Sequence, residues 1–116
     1  MSALGAINTT SEVKPAATQT PTPGATINLT IVAGQNTVCS WTAGEAETVN
    51  ISSGTPSLGD ELTLIILNDG VLPRIITFGT LLTSIGIVTG VVNLTSTIKF
   101  VGNGTKYIEV SRTVAI

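Results

Sequence analysis

The chain of 116 residues contains no histidine and a single cysteine, Cys39. Without an imidazole there is no Ser-His-Asp triad, no Cys-His pair and no histidine-bound metal. A lone thiol can neither close an intrachain disulfide nor build a cysteine zinc site. No histidine partner is present to lower its pKa, so Cys39 is expected to serve as a small apolar strand residue. Charge is almost as scarce: five Lys or Arg and seven Asp or Glu make up 10% of the chain, for a net charge of −2. The basic residues Lys14, Arg74, Lys99, Lys106 and Arg112 are scattered, whereas a nucleic-acid partner needs a concentrated basic surface. A solitary soluble domain normally keeps a well-charged surface, so part of this one is expected to be covered by other subunits.

Aromatics are the third shortage. Trp41, Phe78, Phe100 and Tyr107 are dispersed, which suits core or interface anchors better than a stacking platform for sugars. The N-terminus has no basic stretch leading into a long apolar run, so a secretory signal is not expected and synthesis in the cytoplasm is. The 24 residues from Ile75 to Ile98 carry no charge and are long enough to span a bilayer. They hold nine Thr, Ser or Asn and three Gly, a β-branched and polar pattern that predicts strands and no membrane partner.

What the chain has in abundance is Val, Ile, Leu and Thr. Its length is that of one domain with a core of its own. Residues 1–24 are rich in Ala, Thr and Pro, with Pro15, Pro21 and Pro23, and read as an extended arm. Leu4, Ile7, Val13 and Pro15 on that arm are the candidate contacts to a partner's surface. From residue 25 to 116 the pattern is all-β. Ile27, Leu29 and Ile31 alternate with Thr26, Asn28 and Thr30 as in a half-buried strand, and Val49 and Ile51 form the inner side of another. Glu61–Asn68 is apolar on both parities: Leu62, Leu64 and Ile66 on one, Ile65 and Leu67 on the other. Such a strand asks for cover on both faces. No stretch of ten residues shows helical spacing with caps. Seven or eight short strands predict an antiparallel β-sandwich, jelly-roll-like, behind the N-terminal arm.

Two turns carry register expectations. Asn68-Asp69-Gly70 is expected to close a hairpin between Glu61–Asn68 and Arg74–Phe78, with Arg74 on a solvent or inter-subunit edge where it pairs with an acid. A three-residue Gly102-Asn103-Gly104 loop is expected to place Ile98 opposite Ile108 and Lys99 opposite Tyr107, because register follows the apolar face. Asp60, Glu61 and Asp69 invite comparison with a paired-carboxylate or Ca²⁺ site. They lack EF-hand spacing, and acids in turns are structural as a rule. Five Asn-x-Ser/Thr triplets, at Asn8, Asn28, Asn50, Asn93 and Asn103, accompany 20 Thr and are read as a consequence of composition. No acid/base pair, cofactor site or metal site is signalled, so an enzyme is not expected.

The stretches GDELTLIILNDGVLPRIITFG (from Gly59) and STIKFVGNGTKYIEVSR (to Arg112) resemble a β-module of structural proteins in tailed bacteriophages, among them head decoration (cement) proteins and fibre proteins. The resemblance covers Gly54 to Arg112 and rests on turn and core positions; the aromatic of the last hairpin, often Trp in that module, is Tyr107 here. The resemblance implies a virion protein that oligomerises, commonly as a trimer, on the outer capsid surface and contacts the major capsid protein. Candidate oligomer-interface residues are Ile65, Leu67, Arg74 and Tyr107. A fibre or receptor-binding domain for a host glycan is the alternative, and it requires a solvent-facing aromatic.

Overall fold

The computed structural model describes residues 15–116, and its regular elements are all strands. In chain order they are β1 (Ala16–Gln19), β2 (Thr26–Thr30), β3 (Asn36–Ala43), β4 (Glu47–Ser53), β5 (Glu61–Asn68), β6 (Ile75–Phe78), β7 (Leu82–Thr83), β8 (Val88–Thr89), β9 (Thr95–Gly102) and β10 (Tyr107–Thr113). One sheet has the order β1-β3-β5-β9-β10-β7 and the other β2-β4-β6-β8. From β1 to β8 the chain visits the two sheets alternately, so it winds as a coil rather than folding back in hairpins.

The winding changes the pairing. β1, β3 and β5 run parallel, as do β2, β4 and β6, and β7 is parallel to β10. Antiparallel contacts are confined to β5–β9, β9–β10 and β6–β8. The all-β class therefore holds, while the sheets are mixed and rich in parallel pairs, like a short solenoid closed by an antiparallel hairpin. Alternation of apolar and polar residues is the same in either arrangement, because it reports only which face is buried.

One core lies between the sheets. Residues of the same parity stack across strands: Ile27, Val49 and Phe78 in the smaller sheet, and Cys39, Leu64 and Ile98 in the larger. Ile27, Leu29, Val49, Leu62, Leu64, Ile98 and Phe100 are fully buried, each worth about 1.5–3 kcal/mol of transfer free energy for a large aliphatic or aromatic side chain. Phe78 meets Phe100 edge-on at 5.4 Å between centroids.

Four expectations are corrected. The segment from Gly59 to Gly79 is not a hairpin: β5 belongs to one sheet and β6 to the other, joined by residues 69–74. Neither Asp69 nor Gly70 takes the left-handed φ that a two-residue hairpin turn demands. The last hairpin has a four-residue loop, Asn103–Lys106, and Tyr107 stands opposite Gly102. Asn103 Oδ1 accepts from the backbone N–H groups of Thr105 and Lys106, at 3.0 and 2.9 Å, and this side-chain turn lengthens the loop. A bulge between Glu109 and Ser111 then brings Ile98 opposite Arg112 and Lys99 opposite Ser111. The boundary at residue 24 also moves, since Ala16–Gln19 is a strand of the larger sheet and Pro21 is buried. The uncharged stretch Ile75–Ile98 is divided among β6, β7, β8 and the start of β9.

Candidate interaction surface

The outer face of the six-stranded sheet is where the second parity of β5 emerges. Ile65 and Leu67 are 36% and 41% exposed, flanked by Ser40 and Thr42 of β3 and by Thr97 and Thr95 of β9. Beside them the segment after β1 passes over the sheet, and Pro21 and Pro23 form one wall of a groove of about 440 Å³. From the sheet it is lined by Ser40, Trp41, Thr42, Ile65, Leu67 and Thr95, and no charged side chain lines it. Proline suits such a wall because it holds the chain extended without requiring a donor partner.

Candidate residues named from sequence fall in different places. Ile65 and Leu67 share this groove. Leu4, Ile7 and Val13 lie outside the described residues. Pro15 is exposed, and its carbonyl accepts from the Asn36 N–H at 2.8 Å at the start of the β1–β3 pairing. Tyr107 is fully buried and offers no surface to a partner; burial pushes its hydroxyl up to about 12. It stands opposite Gly102 in the inward row, a placement set by the longer hairpin loop. Pro21, Pro23 and Trp41 were not singled out as groove residues. The signal for them was the X-Pro-X-Pro pattern after a short strand.

Arg74 pairs with an acid, at a corner between the two sheets. Its Nη2 and Nε donate to Asp69 Oδ2 and Oδ1 at 2.8 and 3.1 Å, a fork-to-fork pair. The guanidinium holds the Asp69 carboxyl below its ordinary range. Buried Asn68 completes the corner: its Oδ1 accepts from the Arg74 N–H at 2.7 Å and its Nδ2 donates to the carbonyls of Leu72 and Asp69. The other two acids go elsewhere. Asp60 is buried and accepts from the N–H groups of Gly34 and Ser57, at 2.9 and 2.8 Å. Glu61 faces outward and pairs with Lys99 at 3.1 Å. The three carboxylates thus organise three separate corners.

A further ion pair was not foreseen. Glu109 and Arg112 are three apart on β10, a spacing that puts side chains on opposite faces of a regular strand. The bulge at Val110 restores them to one face. Arg112 Nε and Nη2 donate to Glu109 Oε2 and Oε1 at 2.6 and 2.7 Å. Arg112 also donates to the carbonyls of Ile87 and Gly86 at 2.8 and 2.9 Å, and Glu109 Oε1 accepts from the Ile85 N–H at 3.2 Å. The pair therefore fixes the loop Ser84–Ile87, on which Ile85 is 78% exposed.

Aromatic side chains provide no platform. Trp41 is only 6% exposed, Phe100 and Tyr107 are buried, and Phe78 is half-buried against the core. Trp41 Nε1 donates to Glu47 Oε1 at 2.7 Å, and burial raises the Glu47 carboxyl above its ordinary value of 4.5. Cys39 is fully buried and its thiol is pushed up to about 12 by desolvation.

These shifts fix the sign of the pH dependence. Glu47, raised in the folded state, stabilises fully below 4.5 and loses that contribution as pH climbs through its folded value. Asp69 and Glu109 are lowered, so their contributions are complete above 3.8 and 4.5 and are lost as pH falls further. Urea unfolding followed by the fluorescence of Trp41 is expected to show stability rising from neutrality toward pH 4.5, then falling below it. A monotonic rise across the acid range contradicts these assignments.

Comparison of the chain with protein families, with curated proteins and with solved structures found no match.

Proposed function

We propose that the protein is a structural component of a bacteriophage virion, a capsid decoration (cement) protein that binds the outer capsid as an oligomer and bridges neighbouring major capsid subunits. The observation that carries the reading is the groove beside Ile65 and Leu67: an apolar, uncharged surface on a rigid sheet, where a monomer gains nothing from exposing it. Fourteen large apolar side chains among the described residues are exposed, on a chain with only twelve charged residues. Surfaces of this kind are associated with protein contacts. The resemblance of Gly54–Arg112 to the decoration and fibre module supplies the nature of the partner, and its members commonly form trimers.

The mechanism is mechanical. Each subunit contributes an interface of the standard size, about 800 Å² per partner. Several such contacts held in one oligomer add through effective concentration, so each can be weak while the whole stays bound. Outward pressure from packaged DNA then acts against added interface area. A glycan-binding role draws no support from the buried aromatics.

Binding of purified protein to capsids lacking it tests the reading. The double substitution Ile65→Glu/Leu67→Glu places two charges on the groove floor and is expected to reduce bound protein at least tenfold, while far-ultraviolet circular dichroism stays unchanged. Wild-type occupancy by the folded double variant removes the groove from the contact.

A further inference from the structure

β1 ends opposite Cys39, and residues 20–25 then cross from the larger sheet to the smaller, past Trp41. The crossing is held at its far end, where the Ala25 carbonyl accepts from the Thr48 N–H at 2.9 Å. Between these points Pro21 and Pro23 have no N–H with which to tie the segment down. The same two prolines are a wall of the groove that Trp41 also lines.

The Glu47 carboxyl stands at this crossing. The residue is 2% exposed, its Oε1 accepts from Trp41 Nε1 at 2.7 Å, and the Gly24 N–H favours its charged form. Its Oε2 is buried and has no hydrogen-bond partner among the described residues. Nothing around it compensates a charge. Residues 16–30 and β3 contain no charged side chain, and in β6 the neighbour of Glu47 is Ile76. Arg74, just before β6, is committed to Asp69, and Glu45 in the preceding turn is a like charge. Burial accordingly raises the Glu47 carboxyl above its ordinary 4.5. No histidine titrates in the range above that value, Cys39 and Tyr107 are pushed up to about 12, and Asp69 and Glu109 are held low.

A buried carboxylate with one oxygen unserved gains by reaching water. Trp41 and Glu47 are fixed in strands, so the proline segment is the part able to yield. We propose that Glu47 is a protonation latch on the groove: the neutral acid keeps Thr20–Gly24 seated against Trp41, and the carboxylate admits water and lifts that segment, opening the proline wall. The seated form carries the raised value and the lifted form the ordinary one. Seating is therefore complete below 4.5 and is lost as pH climbs through the value of the seated form. The latch concerns the shape of the groove and stands whichever partner the groove takes.

Acrylamide quenching of Trp41, the only tryptophan, reads the latch in the full chain. The quenching constant is expected to rise at least twofold in one step as pH climbs above 4.5, with far-ultraviolet circular dichroism unchanged. Glu47→Gln keeps an acceptor for the indole and cannot ionise, so it is expected to hold the low constant at every pH. Glu45→Gln removes the neighbouring like charge and is expected to keep the step with its midpoint at lower pH. In heteronuclear NMR spectra the Gly24 amide and the Trp41 indole are expected to titrate with one midpoint. Quenching of the wild type that does not change with pH overturns the proposal, as does a step that survives in Glu47→Gln or that coincides with loss of the dichroism. Should Glu47→Gln fail to fold, the other variant decides: a Glu45→Gln midpoint equal to that of the wild type also overturns it.

Discussion

Arg112→Leu is expected to lower the unfolding free energy by about 3–5 kcal/mol, the cost of leaving a buried carboxylate without its partner. The side chain of Glu109 is only 2% exposed, and both its oxygens are held by Arg112. Removing the guanidinium also releases the carbonyls of Gly86 and Ile87, so the loop Ser84–Ile87 loses its main attachments to β10. Urea unfolding gives the magnitude, and the double variant Glu109→Leu/Arg112→Leu separates the causes. With no buried charge left, the double variant is expected to recover most of the lost stability, as buried pairs replaced by apolar residues generally do. A single variant as stable as wild type contradicts the assignment.

Gly54→Ala is expected to destabilise by a comparable amount. Gly54 has φ of +93°, a conformation costing a residue with a Cβ about 1–3 kcal/mol. Its added methyl also collides with the carbonyl of Ile31, the residue whose N–H bonds to Ser53 where β2 leaves β4. Backbone cannot yield as a flexible side chain can, and overpacking of this kind adds about 1–3 kcal/mol. Gly104→Ala is the control. Its φ is +98°, and a methyl there meets nothing within 4 Å, so only the conformational cost, about 1–3 kcal/mol, is expected. Equal midpoints for the two variants show that the contact at Ile31 is immaterial.

Strands were legible wherever one face is buried and the other wet. Ile27, Leu29 and Ile31 are inward as their alternation requires, and Leu62, Leu64 and Ile66 likewise, leaving Ile65 and Leu67 to emerge. Pairing direction was not legible, because a half-buried strand has the same pattern beside a parallel or an antiparallel neighbour. The signal that did exist was repetition. Ile27-Asn28-Leu29-Thr30 and Val49-Asn50-Ile51-Ser52 share a pattern 22 residues apart, and Asn28 lies opposite Asn50. The triplets read as a product of threonine content mark, at these two positions, successive turns of the coil. Asp69-Gly70 misled for a local reason: Asn68 and the Asp69–Arg74 pair build a corner between sheets from the same polar residues that a tight turn uses. The Glu109–Arg112 pair was hidden because a bulge has no signature in residue spacing.

Of the proposed site, Ile65 and Leu67 were accessible to reasoning from parity, since an apolar residue on the outward row has no intrachain cover. The groove was not, because its second wall comes from Pro21 and Pro23, whose position over the sheet depends on β1 pairing with β3. A reading that took residues 1–24 as an arm had no means of placing that wall.

The proposed function is tested most directly by a cryo-electron microscopy map of phage particles assembled in the presence of this protein. The account predicts density for an oligomer of this β-fold on the outer capsid between neighbouring capsid subunits, with the face bearing Ile65 and Leu67 in a protein contact. Density for the chain only at a fibre or tail, or a capsid without it, contradicts the account.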